Sequence, residues 1–506
     1  MKRNIFITLL CLFTTAAYSN NIQITNVSVQ SATNTIQFTV SWDNSWRSST
    51  LNNWDAAWVF LKYYNPLALE WQSLYFTNTG NVIPSGYSAD MGATSGLNVG
   101  AFLYRSSPGS GTSTITDIQL GIPSQQAIGI YDIKVFAVEM VYIPQGSFFA
   151  GDAASGSGRY AGNSSLTTPG YVNTMANAPS VYDPLAGAGI FLNSLTSGFP
   201  NGYNAFYCMK YELSQGGYRD FLNCLTYTQQ AIHIRNTTTP AAVTGTPALV
   251  STAGTNRSYI EIKTPGSAVT SAPAVFGCDA DGDNVFDEAT DGEWVACNYI
   301  NWPGQAAYLA WSGLRPITEL EYEKTCRGIQ LPVASEYAWG TSFIITAPYT
   351  LSNAGQSSEV PTTFSPPPFG NSNYINSTTG GPMRNGIFAT ATSNRVSSGG
   401  GFYGVMEMSG NLTERVISTA TGGFTGSHGN GTLTLNGYAA NASWPGFGGS
   451  AIDGLTIATG LMDRGGSVID ISTFLRTSWR ELSQLYTITD LARNSYHSCR
   501  GGRTAP

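Results

Sequence analysis

Charge and histidine are scarce in this chain of 506 residues. Only 11% of the residues are Asp, Glu, Lys or Arg, against about 25% in an average soluble domain. The three histidines, His233, His428 and His497, are far apart and have no His-x-x-x-His spacing, so they offer no cluster for a transition metal. The net charge is −7, without a run of basic residues, which argues against nucleic acid as a partner.

Long hydrophobic runs are also absent, apart from one at the start. Residues 1–19 combine Lys2 and Arg3 with an apolar run over residues 5–13 and a small-x-small sequence at residues 17–19, which predicts a secretory signal peptide. The apolar run is too short for a transmembrane helix, which needs about 20 residues. We therefore expect an exported protein without a transmembrane segment, located outside the cell, on its surface or in the periplasm.

Cysteine is sparse as well. Six of the seven lie beyond the predicted signal peptide: Cys208, Cys224, Cys278, Cys297, Cys326 and Cys499. An even number of cysteines in an exported chain permits disulfides. We expect Cys278 to pair with Cys297, because the two bracket an acidic loop, and Cys208 with Cys224 is a second candidate pair. Free buried thiols are the alternative for all six.

Two parts of the chain differ in pattern. Residues 20–137 alternate apolar and polar side chains, as at residues 36–42 and 58–63, which predicts an all-β sandwich domain. Residues 138–506 mix short strand-like runs with long polar loops and predict an α+β domain. Its helices are expected at residues 214–222, 304–311 and 319–327.

An acidic loop follows Cys278. Asp279, Asp281 and Asp283 stand at alternating positions, so their carboxylates are able to converge on one cation, and Asp287 or Glu288 is placed to complete the set. Calcium prefers such an oxygen cluster. The sequence therefore predicts a calcium site at Asp279, Asp281, Asp283 and Asp287.

The loop departs from the EF-hand pattern. Thr290 occupies the twelfth position, where an EF-hand has a bidentate Glu. Asp291 or Glu293 could substitute for it. The alternative interpretation is an acidic hairpin that solvent screens without an ion.

Two further stretches stand out. Residues 399–415 read GGGFYGVMEMSGNLTER, and their Ser-Gly-Asn-Leu-Thr-Glu part supplies the carbonyl, amide and carboxylate oxygens that a hard cation prefers. Residues 301–328 read NWPGQAAYLAWSGLRPITELEYEKTCRG. There Gly313 is suited to end one helix in a left-handed cap, and Thr318 with Glu321 forms a capping box that opens the next.

Both stretches resemble signature segments of the formylglycine-generating enzyme (sulfatase-modifying factor) domain, a variant of the C-type-lectin-like fold. The first follows Gly-Leu-Tyr-Asp-Met-Ser-Gly-Asn-Val-Trp-Glu-Trp, with Thr413 where the family usually has Trp. The second follows Gly-x-Arg-Leu-Pro-Thr-Glu-Ala-Glu-Trp-Glu and Ala-Arg-Gly. Weaker likenesses lie at residues 139–148, 207–222, 464–467 and 499–503. The resemblance covers roughly residues 138–506, and long versions from secreted Bacteroidota proteins are similar.

This resemblance implies a second calcium site. The family's ligands correspond to Asn411, the carbonyl of Leu412 and the carboxylate of Glu414, and Asn385 falls near a further family ligand. An internal salt bridge of Glu414 with Arg480 or Arg500 is the alternative.

The resemblance also bears on catalysis. Formylglycine-generating enzymes bind copper(I) through two cysteines five residues apart near the C-terminus, and linear thiolate ligation suits that soft ion. Residues 476–503 contain one cysteine, Cys499. Copper is therefore not expected, and the oxidase chemistry is expected to be absent.

We interpret the sequence as an exported, non-catalytic, calcium-stabilised protein that acts as a structural or ligand-binding element of the cell surface. Its partner would be an envelope protein or a glycan. Two alternatives remain. One is a copper oxidase with rearranged ligands, Cys499 with Cys326. The other is a calcium-dependent glycan-binding module that uses the many Trp and Tyr residues.

Overall fold

The computed structural model describes residues 21–124, 132–152, 160–161, 170–172, 180–181, 198–364, 366–375, 378–419, 423–446, 458–480, 487–488 and 493–506. The predicted signal peptide, residues 1–19, lies outside them. Strands outnumber helices. The strands are β1 (Gln23–Gln30), β2 (Thr35–Arg47), β3 (Trp54–Asn65), β4 (Glu70–Leu74), β5 (Tyr87–Thr94), β6 (Leu97–Arg105), β7 (Gly109–Gly121), β8 (Ile133–Ile143), β9 (Phe148–Ala150), β10 (Tyr160–Ala161), β11 (Gly170–Val172), β12 (Ser180–Val181), β13 (Phe206–Met209), β14 (Ile260–Thr264), β15 (Val275–Cys278), β16 (Arg315–Pro316), β17 (Leu351–Ser352), β18 (Val360–Pro361), β19 (Thr413–Ile417), β20 (Ala458–Thr459), β21 (Leu461–Arg464), β22 (Thr487–Ile488), β23 (His497–Ser498) and β24 (Gly501–Thr504).

One large antiparallel sheet runs through the molecule. Its main path is β1-β2-β3-β8-β13-β24-β16, while β4 and β6 also pair with β3, β5 with β6 and β7 with β2. Strand β8 pairs with β3 from Ile133 to Tyr142 and with β13 from Met140 to Ile143. The boundary expected between residues 137 and 138 lies inside this strand. The early strands and the later part of the chain therefore share one hydrogen-bonded sheet.

The early strands also have an apolar core of their own. Inward-facing side chains of β2, β3, β6 and β7 form one buried cluster, which includes Phe38, Trp42, Val59, Leu103 and Ile118. The alternation of apolar and polar residues in these strands places one side of each strand in that cluster. Strand β3 also contributes Trp58 and Phe60 to the main core of the molecule, which explains why nearly all of this strand is buried.

Four α-helices support the later part: α1 (Gln215–Leu222), α2 (Tyr227–His233), α3 (Trp302–Trp311) and α4 (Glu319–Arg327). Three of them lie where the sequence predicts helices. The sequence did not predict α2, because seven residues are too few to show a helical period. Its capping box, in which Thr226 and Gln229 bond reciprocally, was the available signal.

The capping chemistry of α3 and α4 agrees with the sequence. Helix α3 begins two residues before its predicted start, since Asn301 accepts a hydrogen bond from the Gly304 amide. Gly313 has a φ of +74° just after this helix, as a left-handed cap requires. Thr318 and Glu321 form the reciprocal capping box at the start of α4.

Three buried polar side chains connect β3, β8 and the end of β13. The Lys210 ammonium lies 3.1 Å from Asp55 Oδ2 and 3.1 Å from Glu139 Oε2. Asp55 also accepts hydrogen bonds from Trp42 Nε1, Ser45 Oγ and the Trp46 amide. Two carboxylates thus share one buried lysine at the junction of the two parts of the sheet.

The predicted disulfide between Cys278 and Cys297 is wrong, because all six cysteines of the described residues are free and buried. The backbones of the two residues are held in place by different parts of the chain. Cys278 lies opposite Ile260 in the β14–β15 hairpin, and the Cys297 amide donates to the Leu213 carbonyl. Each thiol packs as a small apolar side chain in the core.

The second candidate pair, Cys208 with Cys224, is wrong for a simpler reason. The two residues belong to different buried clusters, Cys208 beside Val141 and Ile317 and Cys224 beside Phe221 and Leu225.

No helix among the described residues is both long enough and apolar enough to cross a membrane.

Candidate functional site

The Ser-Gly-Asn segment lies in a tight turn that leads into β19. Gly410 has a φ of +87°, and a Cβ there would lie 2.1 Å from Ser372 Oγ and 2.6 Å from the Asn373 carbonyl oxygen. Only glycine is compatible with both the backbone conformation and the space. Asn411 follows with a φ of +66°, so the turn presents the start of β19 to the interior.

The side chain of Asn411 and the amide of Leu412 are engaged within the protein. Asn411 Oδ1 accepts hydrogen bonds from Asn373 Nδ2 at 3.0 Å and from the Met383 amide at 2.8 Å. Its Nδ2 donates to Glu212, and the Leu412 amide donates to Glu212 Oε1 at 2.9 Å. The side chain of Asn411 therefore fixes the turn, and both lone-pair directions of its oxygen are in use.

Three buried carboxylates surround one arginine at this turn. Arg500 Nε donates to Glu414 Oε1 at 2.6 Å, and its other nitrogens donate to the Met209 and Met406 carbonyls. Burial and the charge of Glu414 raise the pKa of Glu212, and burial raises the pKa of Glu414 against the effect of Arg500. Burial raises the pKa of Glu407 to about 7.

Two oxygens of this group, Glu407 Oε2 and Glu414 Oε2, are buried without a hydrogen-bond partner. The remaining oxygen of Glu407 accepts from the Gly386 amide at 2.8 Å. Arg384 also acts on Glu407, but three carboxylates near two guanidinium groups still leave an excess of negative charge, which a bound cation or protons would neutralise. The oxygens of Glu407 and Glu414 fit a hard cation such as calcium, whereas the side-chain oxygen of Asn411 does not fit.

Arg480 and Arg500 were both considered as salt-bridge partners of Glu414. Arg500 is its partner, whereas Arg480 pairs with Glu319 at 2.9 Å. Asn385 also lies at this turn, since its Nδ2 donates to the Glu212 carbonyl at 2.7 Å. Glu212 and Glu407 were not predicted as site residues. Glu212 stands in a segment that resembles the family's, and that position was the available signal.

The acidic loop brings together three of its four predicted carboxylates. Oxygens of Asp279, Asp281 and Asp283 lie within 4.8 Å of one another. Asp287 turns away from them. Its Oδ1 accepts from Arg219 at 2.6 Å and from the Cys278 amide at 3.0 Å.

Asp291, which was considered only as a substitute, follows Thr290, whose Oγ1 donates to Asp281 Oδ2 at 2.8 Å. The Asp291 side chain is fully buried, and its Oδ2 accepts from the Glu288 amide at 2.7 Å. Its Oδ1 has no partner. Burial raises the pKa of Asp291 to about 6, and the charges of Asp281 and Asp279 add to that rise.

The two thiols considered for copper, Cys326 and Cys499, lie in the core. Cys499 and Cys326 are fully buried and belong to different apolar clusters. Burial raises the pKa of Cys326 to about 12 and also raises that of Cys499. Copper(I) binds thiolates, so this donor set does not fit copper.

A cavity of about 710 Å³ opens beside α2 and the start of α3. Tyr299 and Tyr438 contribute aromatic rings, Arg235 and Asn236 contribute polar groups, and Ile232 is one of several aliphatic residues. None of its described lining residues is acidic. Its size lies in the range of small-molecule sites.

Comparison with known families gives a match over most of the chain. A family model described as "Sulfatase-modifying factor enzyme 1-like domain" matches residues 136–490. It begins within β8 and covers α1 to α4, the acidic loop and the turn at Gly410. No curated protein matches the chain.

Proposed function

This chain belongs to the sulfatase-modifying factor enzyme 1-like family, and we propose that it is a non-catalytic member. In this proposal it is exported and serves as a structural or ligand-binding element at the cell surface, in contact with an envelope protein or a glycan. In this proposal the chain has the family's fold but does not carry out copper-dependent oxidation.

The burial of the thiols is the observation that carries this proposal. Copper(I) ligation by two cysteines needs both sulfurs as thiolates at one ion. Cys499 and Cys326 have no exposed surface and pack in separate clusters. Moving both into one groove would open the apolar core, and this cost disfavours a rearranged copper site.

A copper(I) titration tests the proposal. We expect no stoichiometric uptake and no thiolate-to-copper charge-transfer absorbance, and a Cys499→Ser variant should behave as the wild type does. Incubation with a sulfatase-type cysteine peptide and copper should yield no formylglycine. Stoichiometric uptake that Cys499→Ser abolishes, or peptide oxidation by the wild type, would refute the non-catalytic role.

The proposed architecture is a C-type-lectin-like domain preceded by a β-sandwich. The buried cluster between β2, β7, β3 and β6 supports the sandwich, and the family match supports the lectin-like part. Because β8 pairs with strands of both parts, we expect the two to unfold together. Two separate calorimetric transitions would contradict this arrangement.

We also propose that calcium stabilises the turn at Gly410. The unpartnered oxygens of Glu407 and Glu414 support this, and the residues around them include Asn411, Leu412 and Asn385. An ion at about 100 times its Kd adds about 2.7 kcal/mol to the stability of the folded state. Glu407→Gln should therefore reduce the rise in melting temperature that calcium produces.

The cavity beside α2 supports a second candidate function, the binding of a glycan. Aromatic rings such as Tyr299 and Tyr438 provide flat apolar faces, and Arg235 and Asn236 provide hydrogen-bond donors at the same cavity. Because no described lining residue is acidic, we expect this binding to survive a chelator. This differs from the calcium-dependent mode that the sequence suggested.

A glycan array with and without chelator tests the second candidate. We expect the same glycans to bind in both conditions, Tyr438→Ala to abolish binding and Tyr64→Ala, on β3, to leave it intact. Loss of binding on chelation would exclude this cavity as the site.

A further inference from the structure

The acidic loop is folded around its first carboxylate. Asp279 Oδ1 accepts from the Gly282 amide at 2.8 Å, and its Oδ2 accepts from the Asn284 amide at 3.0 Å. Gly282 and Asn284 have φ values of +76° and +63°. These left-handed residues turn the chain sharply, so that the carboxylate oxygens of Asp279, Asp281 and Asp283 lie within 4.8 Å of one another.

A fourth carboxylate approaches from the far end of the loop. Asp291 is fully buried and its Oδ1 has no hydrogen-bond partner. Thr290, the residue before it, donates from Oγ1 to Asp281 Oδ2 at 2.8 Å, so this end of the loop lies against the cluster. A buried, unpaired carboxylate oxygen costs free energy unless a ligand satisfies it.

Asp287, the fourth ligand that the sequence predicted, pairs with cations outside the cluster. One oxygen accepts from Arg219 and from the Cys278 amide, and the other lies 3.0 Å from Lys263 Nζ. These cations lower the pKa of Asp287 against the effect of burial. The carboxylate therefore holds the base of the loop to α1 and β14 and is not directed at the cluster.

We propose that Asp279, Asp281, Asp283 and Asp291 form a calcium-binding site, with Asp291 in the role that the last acidic residue has in an EF-hand. Calcium takes about 6 to 8 oxygen ligands in a flexible arrangement, so main-chain carbonyls and water would complete the shell. Zinc prefers nitrogen and sulfur ligands, and neither is present in this set. The proposal does not depend on the non-catalytic role, because the site uses neither Cys326 nor Cys499 nor a residue of the turn at Gly410.

The ion would fix more than its own loop. The Ser357 amide donates to the Ala289 carbonyl, and a Cβ on Gly355 would lie 3.3 Å from Ala280 Cβ. Glu359, at the end of that neighbouring segment, pairs with Arg257. Without the ion the four carboxylates repel one another, so we expect both the acidic loop and residues 353–359 to become accessible to protease.

Terbium luminescence on the full chain provides a direct test. Terbium replaces calcium at oxygen sites, and two aromatic side chains lie close enough to sensitise it: Trp294 follows three residues after Asp291, and Tyr259 packs on Gly292. The measurement is made in a Glu407→Gln background, which removes the other candidate site. We expect a saturable signal that calcium displaces.

Variants assign the ligands. Asp291→Asn and Asp281→Asn should weaken terbium and calcium affinity by about tenfold or more, since each removes a charged ligand. Asp287→Asn is the matched control, because it removes an acid of the same loop, and it should lower the melting temperature while leaving the affinity within about twofold. Limited proteolysis should show that calcium protects residues 279–291 in the wild type and in Asp287→Asn only.

Two results would overturn the proposal: unchanged affinity in Asp291→Asn, or an equal loss of affinity in Asp287→Asn and Asp281→Asn. If Asp291→Asn fails to fold, Asp283→Asn replaces it, because Asp283 is exposed and its loss should leave the core intact. An unchanged affinity in Asp283→Asn would equally refute the site.

Discussion

Arg500 and Glu414 form an ion pair at 2.6 Å in which both side chains are fully buried. Arg500 comes from the closing segment between β23 and β24, and Glu414 from β19. The same guanidinium holds the carbonyls of Met209 and Met406. One side chain thus joins the C-terminal segment to the turn at Gly410, so the integrity of that turn should depend on this pair.

Glu414→Gln should destabilise the protein by about 3 to 5 kcal/mol, because it leaves the Arg500 charge buried without its partner. Urea unfolding monitored by tryptophan fluorescence measures this loss. Lys263→Met is the control. It breaks the partly exposed pair with Asp287 and should cost about 1 kcal/mol or less. A loss in Glu414→Gln no larger than that of the control would contradict the structural role of the pair.

The effect of calcium on the same variant separates the two interpretations of Glu414. If the carboxylate serves only Arg500, added calcium should raise the melting temperatures of the wild type and of Glu414→Gln equally. If Glu414 also holds an ion, as we propose, the variant should gain less. Chelator-treated protein with and without calcium, followed by differential scanning calorimetry, gives the comparison.

Glu139 should make stability depend on pH. Burial raises the pKa of Glu139 to about 7, although Lys210 opposes this, from an ordinary value of 4.5. Between those two values the folded protein binds more protons than the unfolded chain, so stability falls as the pH rises. Each unit of difference corresponds to about 1.4 kcal/mol.

Glu139→Gln should remove that contribution. Relative to the variant, the wild type should lose about 2 to 3 kcal/mol of unfolding free energy between pH 4.5 and pH 8. Urea unfolding of both proteins at pH 5, 6, 7 and 8, with chelator present, isolates the difference. Parallel curves for the two proteins would show that Glu139 titrates in the folded state as it does in the unfolded chain.

The backbone at Gly410 gives a prediction with a close control. Gly410→Ala would place a Cβ 2.1 Å from Ser372 Oγ at a positive φ, so both a clash and backbone strain oppose it. Gly96→Ala, in the β5–β6 turn, also places an alanine at a positive φ, but nothing lies within 4 Å of the added Cβ. This variant therefore has the backbone strain without a clash. We expect a loss of about 1 to 2 kcal/mol for Gly96→Ala and a clearly larger loss for Gly410→Ala by thermal denaturation. Equal losses would show that the turn relaxes.

Local sequence signals predicted local structure well. The capping box of Thr318 and Glu321 predicted the start of α4, because hydrogen bonds between residues three apart determine where this helix starts. The expected helix end at Gly313 was confirmed for a similar reason. The family match was predictable from short motifs such as the one at residues 403–414, whose turn needs glycine at a positive φ.

Partners distant in sequence were harder to predict. Nothing local indicates that β8 pairs with both β3 and β13, and this strand spans the boundary expected at residue 137. The sequence pattern of the acidic loop did not distinguish Asp287 from Asp291, since Arg219 on α1 draws Asp287 away. The cysteine pairs were wrong because their spacing carries no information on which core cluster each thiol enters.

The free thiols lead to a last prediction. Burial raises the pKa of Cys208 and Cys224 to about 12 and that of Cys297 above its usual range. A thiol reagent reacts with the thiolate, so we expect almost no alkylation of the native protein at neutral pH. In denaturant without reductant all six cysteines from residue 208 onward should react, and mass spectrometry of the alkylated peptides identifies them. Recovery of an unalkylated, reducible pair would contradict the prediction that all six of these thiols are free.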